Sequence, residues 1–156
     1  MKKSAKPKST IADANAQPPR RGRLLIVEDS EISRAMIGEH LQEESYEYDE
    51  ADNGVTGVEK ARASRYDLIL MDIHMPMMDG YEAIRRIRQW EESHELTRTP
   101  IIAFTGSAFD EDIQRALQCG ADLHISKPVH KDDLATAIKN LIRVDAETSS
   151  AKKHSA

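Results

Sequence analysis

One cysteine is all that this chain of 156 residues contains. Cys119 therefore excludes an internal disulfide and cannot by itself build a thiolate metal site. Long apolar runs are missing as well. The longest, Leu24–Val27, Leu68–Met71 and Ile101–Phe104, are four residues each, whereas a membrane-spanning helix needs ~20. The basic N-terminus is followed by no apolar segment, so it is not a secretory signal. A cytoplasmic location and no membrane span are the expectations. No G-x-G-x-x-G and no G-x-x-x-x-G-K-[ST] occurs, which removes a nucleotide-binding α/β module.

Charge is plentiful but uneven. The whole chain carries −5. Residues 1–23 hold Lys2, Lys3, Lys6, Lys8, Arg20, Arg21 and Arg23 against Asp13, a net of +6, which leaves −11 for residues 24–156. An acidic body argues against direct DNA binding by the folded part, because phosphate contacts need cations. Residues 1–22 are rich in Lys, Ala, Ser and Pro without apolar periodicity and read as a disordered basic leader. Residues 145–156 read as a disordered tail, and 23–144 as one domain.

Between the tails, short apolar runs alternate with helical patterns. Strands are predicted at 23–28, 46–51, 67–71, 101–104 and 122–126, the second polar enough for a sheet edge. Ser30 is a helix N-cap, and Ile32, Met36 and Leu41 form the expected inner face of the helix that follows. A short helix over 55–64 turns Val55 and Val58 inward, and Ile84 and Ile87 do the same over 81–92. Phe109, Ile113 and Leu117 make an i, i+4, i+8 stripe ended by Gly120, and Leu134, Ile138, Leu141 and Ile142 line a last helix. Five βα units imply an α/β fold with one doubly wound parallel sheet covered on both faces. Ligands in such sheets bind outside the carboxyl ends of the strands.

Five polar residues sit at those ends: Glu28 and Asp29, Asp72, Thr105, and Lys127 before Pro128. Hard divalent cations take oxygen ligands, so three carboxylates converging there suit Mg²⁺, with Mn²⁺ able to substitute. Three negative charges balance only when the metal joins the Lys127 ammonium. A carboxylate at the crevice floor, Asp72, can attack phosphorus and carry an acyl phosphate. Thr105 and Lys127 can each bind a phosphoryl oxygen.

The stretches Leu25–Asp29, Met71–Gly80, Phe104–Gly106 and Ser126–Val129 resemble the response-regulator receiver domain over about residues 23–144. The resemblance implies a flavodoxin-like five-stranded sheet of order 2-1-3-4-5. It implies phosphorylation of Asp72 by a phosphohistidine, with Glu28, Asp29, Asp72 and the backbone carbonyl of His74 at Mg²⁺. Thr105, Gly106 and Lys127 match the phosphoryl-binding and switch positions, and a cis Lys127–Pro128 bond is expected. His124 stands where many receivers carry Tyr or Phe, so a titratable imidazole replaces an aromatic switch, as in receivers of hybrid histidine kinases. His124 and Pro128 are the candidate coupling residues. His74 and Ser107, two residues past Asp72 and Thr105, border the path of an attacking water, and neither is a carboxylate or an amide.

The expected partners are a histidine kinase or a histidine phosphotransfer protein and a downstream protein, with Mg²⁺ as cofactor. Met1 and the basic leader favour a single-domain regulator over a receiver excised from a hybrid histidine kinase. The competing class is an enzyme, a Mg²⁺-dependent aspartyl phosphohydrolase. Those of the haloacid-dehalogenase type use Asp-x-Asp, and the triplet here is Asp72-Ile73-His74, without the general acid. The expectation is a phospho-accepting signalling protein and not an enzyme. His40, His94, His130 and His154 show no metal spacing.

Overall fold

The computed structural model describes residues 21–106 and 109–154, with side chains as far as residue 142. Most of the leader, the last two residues of the tail and Ser107 lie outside the described residues. Among the described residues five strands alternate with five helices. They are β1 (Arg23–Val27), α1 (Glu31–Glu43), β2 (Glu47–Ala51), α2 (Gly54–Ala63), β3 (Leu68–Asp72), α3 (Gly80–Ser93), β4 (Ile101–Thr105), α4 (Asp110–Cys119), β5 (Leu123–Ser126) and α5 (Lys131–His154). The strands pair in parallel in the order β2-β1-β3-β4-β5, the expected topology, with polar β2 at an edge. No described helix is long and apolar enough to cross a membrane.

Apolar runs become strands here because both faces of the sheet are covered. Side chains alternate across the sheet. Leu25, Val27, Ile69, Met71, Ile101 and Ala103 pack with Val58, Ile84, Ile87 and Ala116 of α2, α3 and α4. Leu24, Ile26, Leu68, Leu70, Ile102 and Phe104 pack with Ile37, Leu41, Leu134 and Ile138 of α1 and α5. The carboxyl ends of the strands are where polar side chains first enter these apolar runs, at Glu28, Asp72 and Thr105.

Three expected helix faces need correction. On α1, Ile32 and Met36 are exposed, and Ile37, Gly38 and Leu41 are buried. On α2, Val55 is exposed, and Gly54, Gly57 and Val58 are buried. The cause is shared: a Cβ at Gly38 would stand 2.5 Å from the Tyr48 hydroxyl, and one at Gly57 2.8 Å from Val27. Close backbone approach at glycine turns each helix, and a count of large apolar residues does not register it. At α4, the N-cap Phe109 and Leu117 are exposed, and Ala116 is the buried contact. The helix α5 also continues to His154, past the expected limit at 144. No Pro or Gly follows Pro128 to stop it, while large apolar residues run out after Val144.

Candidate functional site

Strand register brings the polar residues together. Val27 pairs with Met71, Asp72 with Phe104, and Thr105 with Ser126. Glu28, Asp72, Thr105 and Lys127 thus occupy neighbouring places along one edge. The order places β1 beside β3 at the reversal of winding, where such sheets open a crevice.

Burial separates their roles. Glu28 is 0 % exposed, and Asp72 and Thr105 are 1 % exposed, whereas Asp29 is exposed. The Lys127 ammonium stands 3.0 Å from Asp72 Oδ1 and 3.1 Å from Glu28 Oε2. One cation thus serves two buried carboxylates. Desolvation, then the charge of Asp72, pushes the Glu28 carboxyl up to about 7, against the pull of Lys127. Desolvation likewise raises Asp72, and Lys127 opposes it. Burial works against the Lys127 ammonium, yet Asp72 and Glu28 together hold it above its ordinary value. All three shifts describe one site with an excess of negative charge.

Two buried oxygens, Asp72 Oδ2 and Thr105 Oγ1, have no hydrogen-bond partner among the described residues. An unsatisfied buried polar atom costs about 1–3 kcal/mol, so the crevice is suited to a guest that completes them. Carboxylate oxygens of Glu28, Asp29 and Asp72 lie within 4.8 Å of one another and form the one cluster of metal-ligating side chains among the described residues. An all-oxygen set with surplus negative charge fits Mg²⁺ or Mn²⁺. The Thr105 hydroxyl and the Lys127 ammonium are donors beside the same carboxylate, an arrangement able to hold a tetrahedral anion against Asp72.

The remaining expected residues lie beside this centre or in a groove that shares Lys127 with it. Gly106 follows Thr105 at the surface, and the His74 ring lies so near that a Cβ at 106 would be 3.3 Å from its Cδ2. His74 itself is exposed. The Lys127–Pro128 bond is cis, as expected. His124, half-buried in β5 opposite Ala103, lines an open groove of about 420 Å³ with Lys127, Pro128 and His130.

One residue at the site escaped the sequence reading. Arg34 of α1 donates from Nη1 to the Glu28 carbonyl at 2.9 Å, and its Nε stands 3.7 Å from the Glu50 carboxylate on β2. The signal was available: a cation four residues past the N-cap Ser30 opposes the helix dipole and calls for a specific partner.

Residues 24–139 match the family model described as the response regulator receiver domain. Hybrid signal transduction histidine kinase G of Dictyostelium discoideum is 38% identical over 130 residues, 82% of this chain and 4% of that protein. The fold is similar to the receiver domain of sensor histidine kinase PA1611 from Pseudomonas aeruginosa PAO1, solved with a magnesium ion coordinated in its active-site cleft. That match has TM-score 0.70 and 34% identity, over 78% of this chain and 97% of that one. A chain in the co-crystal of the Saccharomyces cerevisiae histidine phosphotransfer protein Ypd1 with the receiver domain of Ssk1 matches with TM-score 0.77 and 30% identity, over 80% and 90%. The chain spans no more than 8% of the histidine kinases it matches here.

Proposed function

Because the chain belongs to the response regulator receiver family, we propose that it accepts a phosphoryl group from a phosphohistidine onto Asp72, as the receiver of a two-component phosphorelay. The observation that carries this reading is Asp72 itself: buried, at a strand end, with one oxygen at the Lys127 ammonium and the other without a partner. The unit that performs it is residues 23–144. Its partners are a histidine kinase or a histidine phosphotransfer protein, the class of partner in the Ypd1–Ssk1 complex.

The balance of the transfer is simple. A carboxylate oxygen of Asp72 forms the new O–P bond as the P–N bond to the donor imidazole breaks, and the leaving imidazole takes up a proton. Glu28, Asp29, Asp72 and the His74 backbone carbonyl would hold Mg²⁺, which when bound neutralises charge on the carboxylates and the phosphoryl oxygens. Lys127 neutralises a further phosphoryl oxygen, and the Thr105 hydroxyl donates to another. Gly106 keeps the approach open. Output runs through changed protein contacts on α4, β5 and α5, where Phe109 and Leu117 already present apolar surface, or through onward transfer of the phosphoryl group.

Incubation with acetyl phosphate and Mg²⁺ should add one phosphoryl group to the intact protein by mass, and chelation of the metal should prevent it. A phosphohistidine-bearing phosphotransfer domain should lose its label to the chain. No label from either donor would sink the reading.

The acyl phosphate should then persist for minutes or longer. Neither His74 nor Ser107 is a carboxylate or an amide that orients an attacking water, and the His74 ring resting on Gly106 adds bulk at the mouth. Loss of label with time after removal of the donor measures this, and a half-life of seconds without a phosphatase contradicts it.

A further inference from the structure

The metal-binding pair Glu28–Asp29 is held from behind. Glu28 is engaged through its backbone and through both carboxylate oxygens. Its N–H donates to the Ala51 carbonyl of β2 at 3.0 Å. Its Oε1 accepts from the Ser30 N–H at 3.2 Å, and its Oε2 faces Lys127 at 3.1 Å. Its carbonyl accepts from Arg34 Nη1 at 2.9 Å. That carbonyl belongs to the peptide that leads into Asp29, so the contact fixes the plane from which the Asp29 side chain departs. Arg34 is 17 % exposed, and its other side stands 3.7 Å from Glu50.

Building on the metal site of the proposed function, we infer that Arg34 is a positioning residue for that site. Its guanidinium, held by Glu50, locks the Glu28–Asp29 peptide so that the Asp29 carboxylate stays beside those of Glu28 and Asp72.

The competing effect has the opposite sign. Arg34 is a cation near a cation site, and Coulomb repulsion alone makes its removal tighten metal binding. Positioning makes its removal loosen binding, because the freed peptide must be ordered again when the metal arrives. Hydrogen-bonding partners of metal ligands typically change affinity by about 10–100-fold when removed. With Asp29 exposed and only one peptide released, the lower end applies. The direction of the change therefore decides between the two effects.

The test is Mn²⁺ titration of the full chain followed by electron paramagnetic resonance, which counts free metal without any phosphoryl transfer. Arg34→Ala should bind Mn²⁺ roughly tenfold more weakly than the wild type. Arg34→Lys keeps the charge and one donor but cannot span Glu28 and Glu50 together, so it should fall between the two. Glu50→Gln should weaken binding in the same direction by less. A purely structural role would lower the metal-free melting temperature of Arg34→Ala and leave its affinity unchanged. Equal or tighter binding by Arg34→Ala overturns the inference. Should that variant fail to fold, wild-type affinity in both Arg34→Lys and Glu50→Gln overturns it instead. A wild type with no Mn²⁺ affinity removes the metal site itself, and the inference with it. A wild type that binds while the variants match it leaves the phosphorelay reading standing.

Discussion

Asp72→Asn should reduce phosphoryl acceptance to background while leaving the fold intact. Asparagine has nearly the shape of aspartate, but its amide is no nucleophile toward phosphorus. The neighbouring Thr105, Lys127 and Glu28 remain, so any label kept by this variant must sit elsewhere. The same substitution should raise metal-free stability by about 1 kcal/mol, because it removes one of two buried carboxylates sharing one ammonium. Loss of function combined with a gain in stability is the signature of a site whose charge serves chemistry. Lys127→Ala tests the other half. It should still bind metal through the three carboxylates yet accept little label, since a phosphoryl oxygen loses its cation. Phosphorylation at wild-type stoichiometry in Asp72→Asn, read from intact mass and from peptide mapping, would falsify the assignment.

Without metal, the protein should lose stability as pH rises from about 4.5 to 7. The Glu28 carboxyl is raised from 4.5 to about 7 in the fold, by desolvation first and by Asp72 second. Below 4.5 Glu28 is protonated in both folded and unfolded chains, and its contribution to stability is at its maximum. Between 4.5 and 7 the unfolded chain releases the proton first, so each step up in pH favours unfolding. Above 7 both states are ionised and the loss is complete, up to about 3 kcal/mol from this group. Asp72, raised by burial, acts in the same direction. Mg²⁺ should reverse the trend at neutral pH, because it binds the ionised native cluster and not the unfolded chain. At a hundredfold excess over its dissociation constant the gain is roughly 2.7 kcal/mol. Urea unfolding at pH 5 and pH 8, with EDTA or with Mg²⁺, reads both effects. Glu28→Gln should flatten the metal-free pH dependence relative to the wild type, and parallel profiles for the two proteins would count against this account.

Much of this was present in the amino-acid order. Leu24–Val27, Leu68–Met71 and Ile101–Phe104 are continuous apolar runs because a sheet covered on both faces needs no polar alternation. The residue that closes such a run lies at the first point where a polar side chain can face the crevice beyond the sheet, which singles out Glu28, Asp72 and Thr105. Helix faces were less secure. Ile32, Met36, Val55, Phe109 and Leu117 are apolar at helical spacing and still exposed, because Gly38, Gly57 and Ala116 make the close contacts that orient their helices. A small residue adds nothing to a hydrophobic pattern, and its value lies in the element it lets approach.

The site divides in the same way. The types and order of its residues, and hence its oxygen-ligand and phosphoryl chemistry, are local properties of the chain. Their environments are not. Only the register of β1 with β3 and of β4 with β5 puts one ammonium between two buried carboxylates, and only that packing carries Glu28 to about 7. Only the fold brings Arg34 back over the loop to the Glu28 carbonyl while its other side meets Glu50 of a neighbouring strand. Nucleophile, hydroxyl and ammonium can be read one residue at a time. Desolvation and charge sharing depend on residues far apart in sequence, so they come into being only when the sheet closes around them.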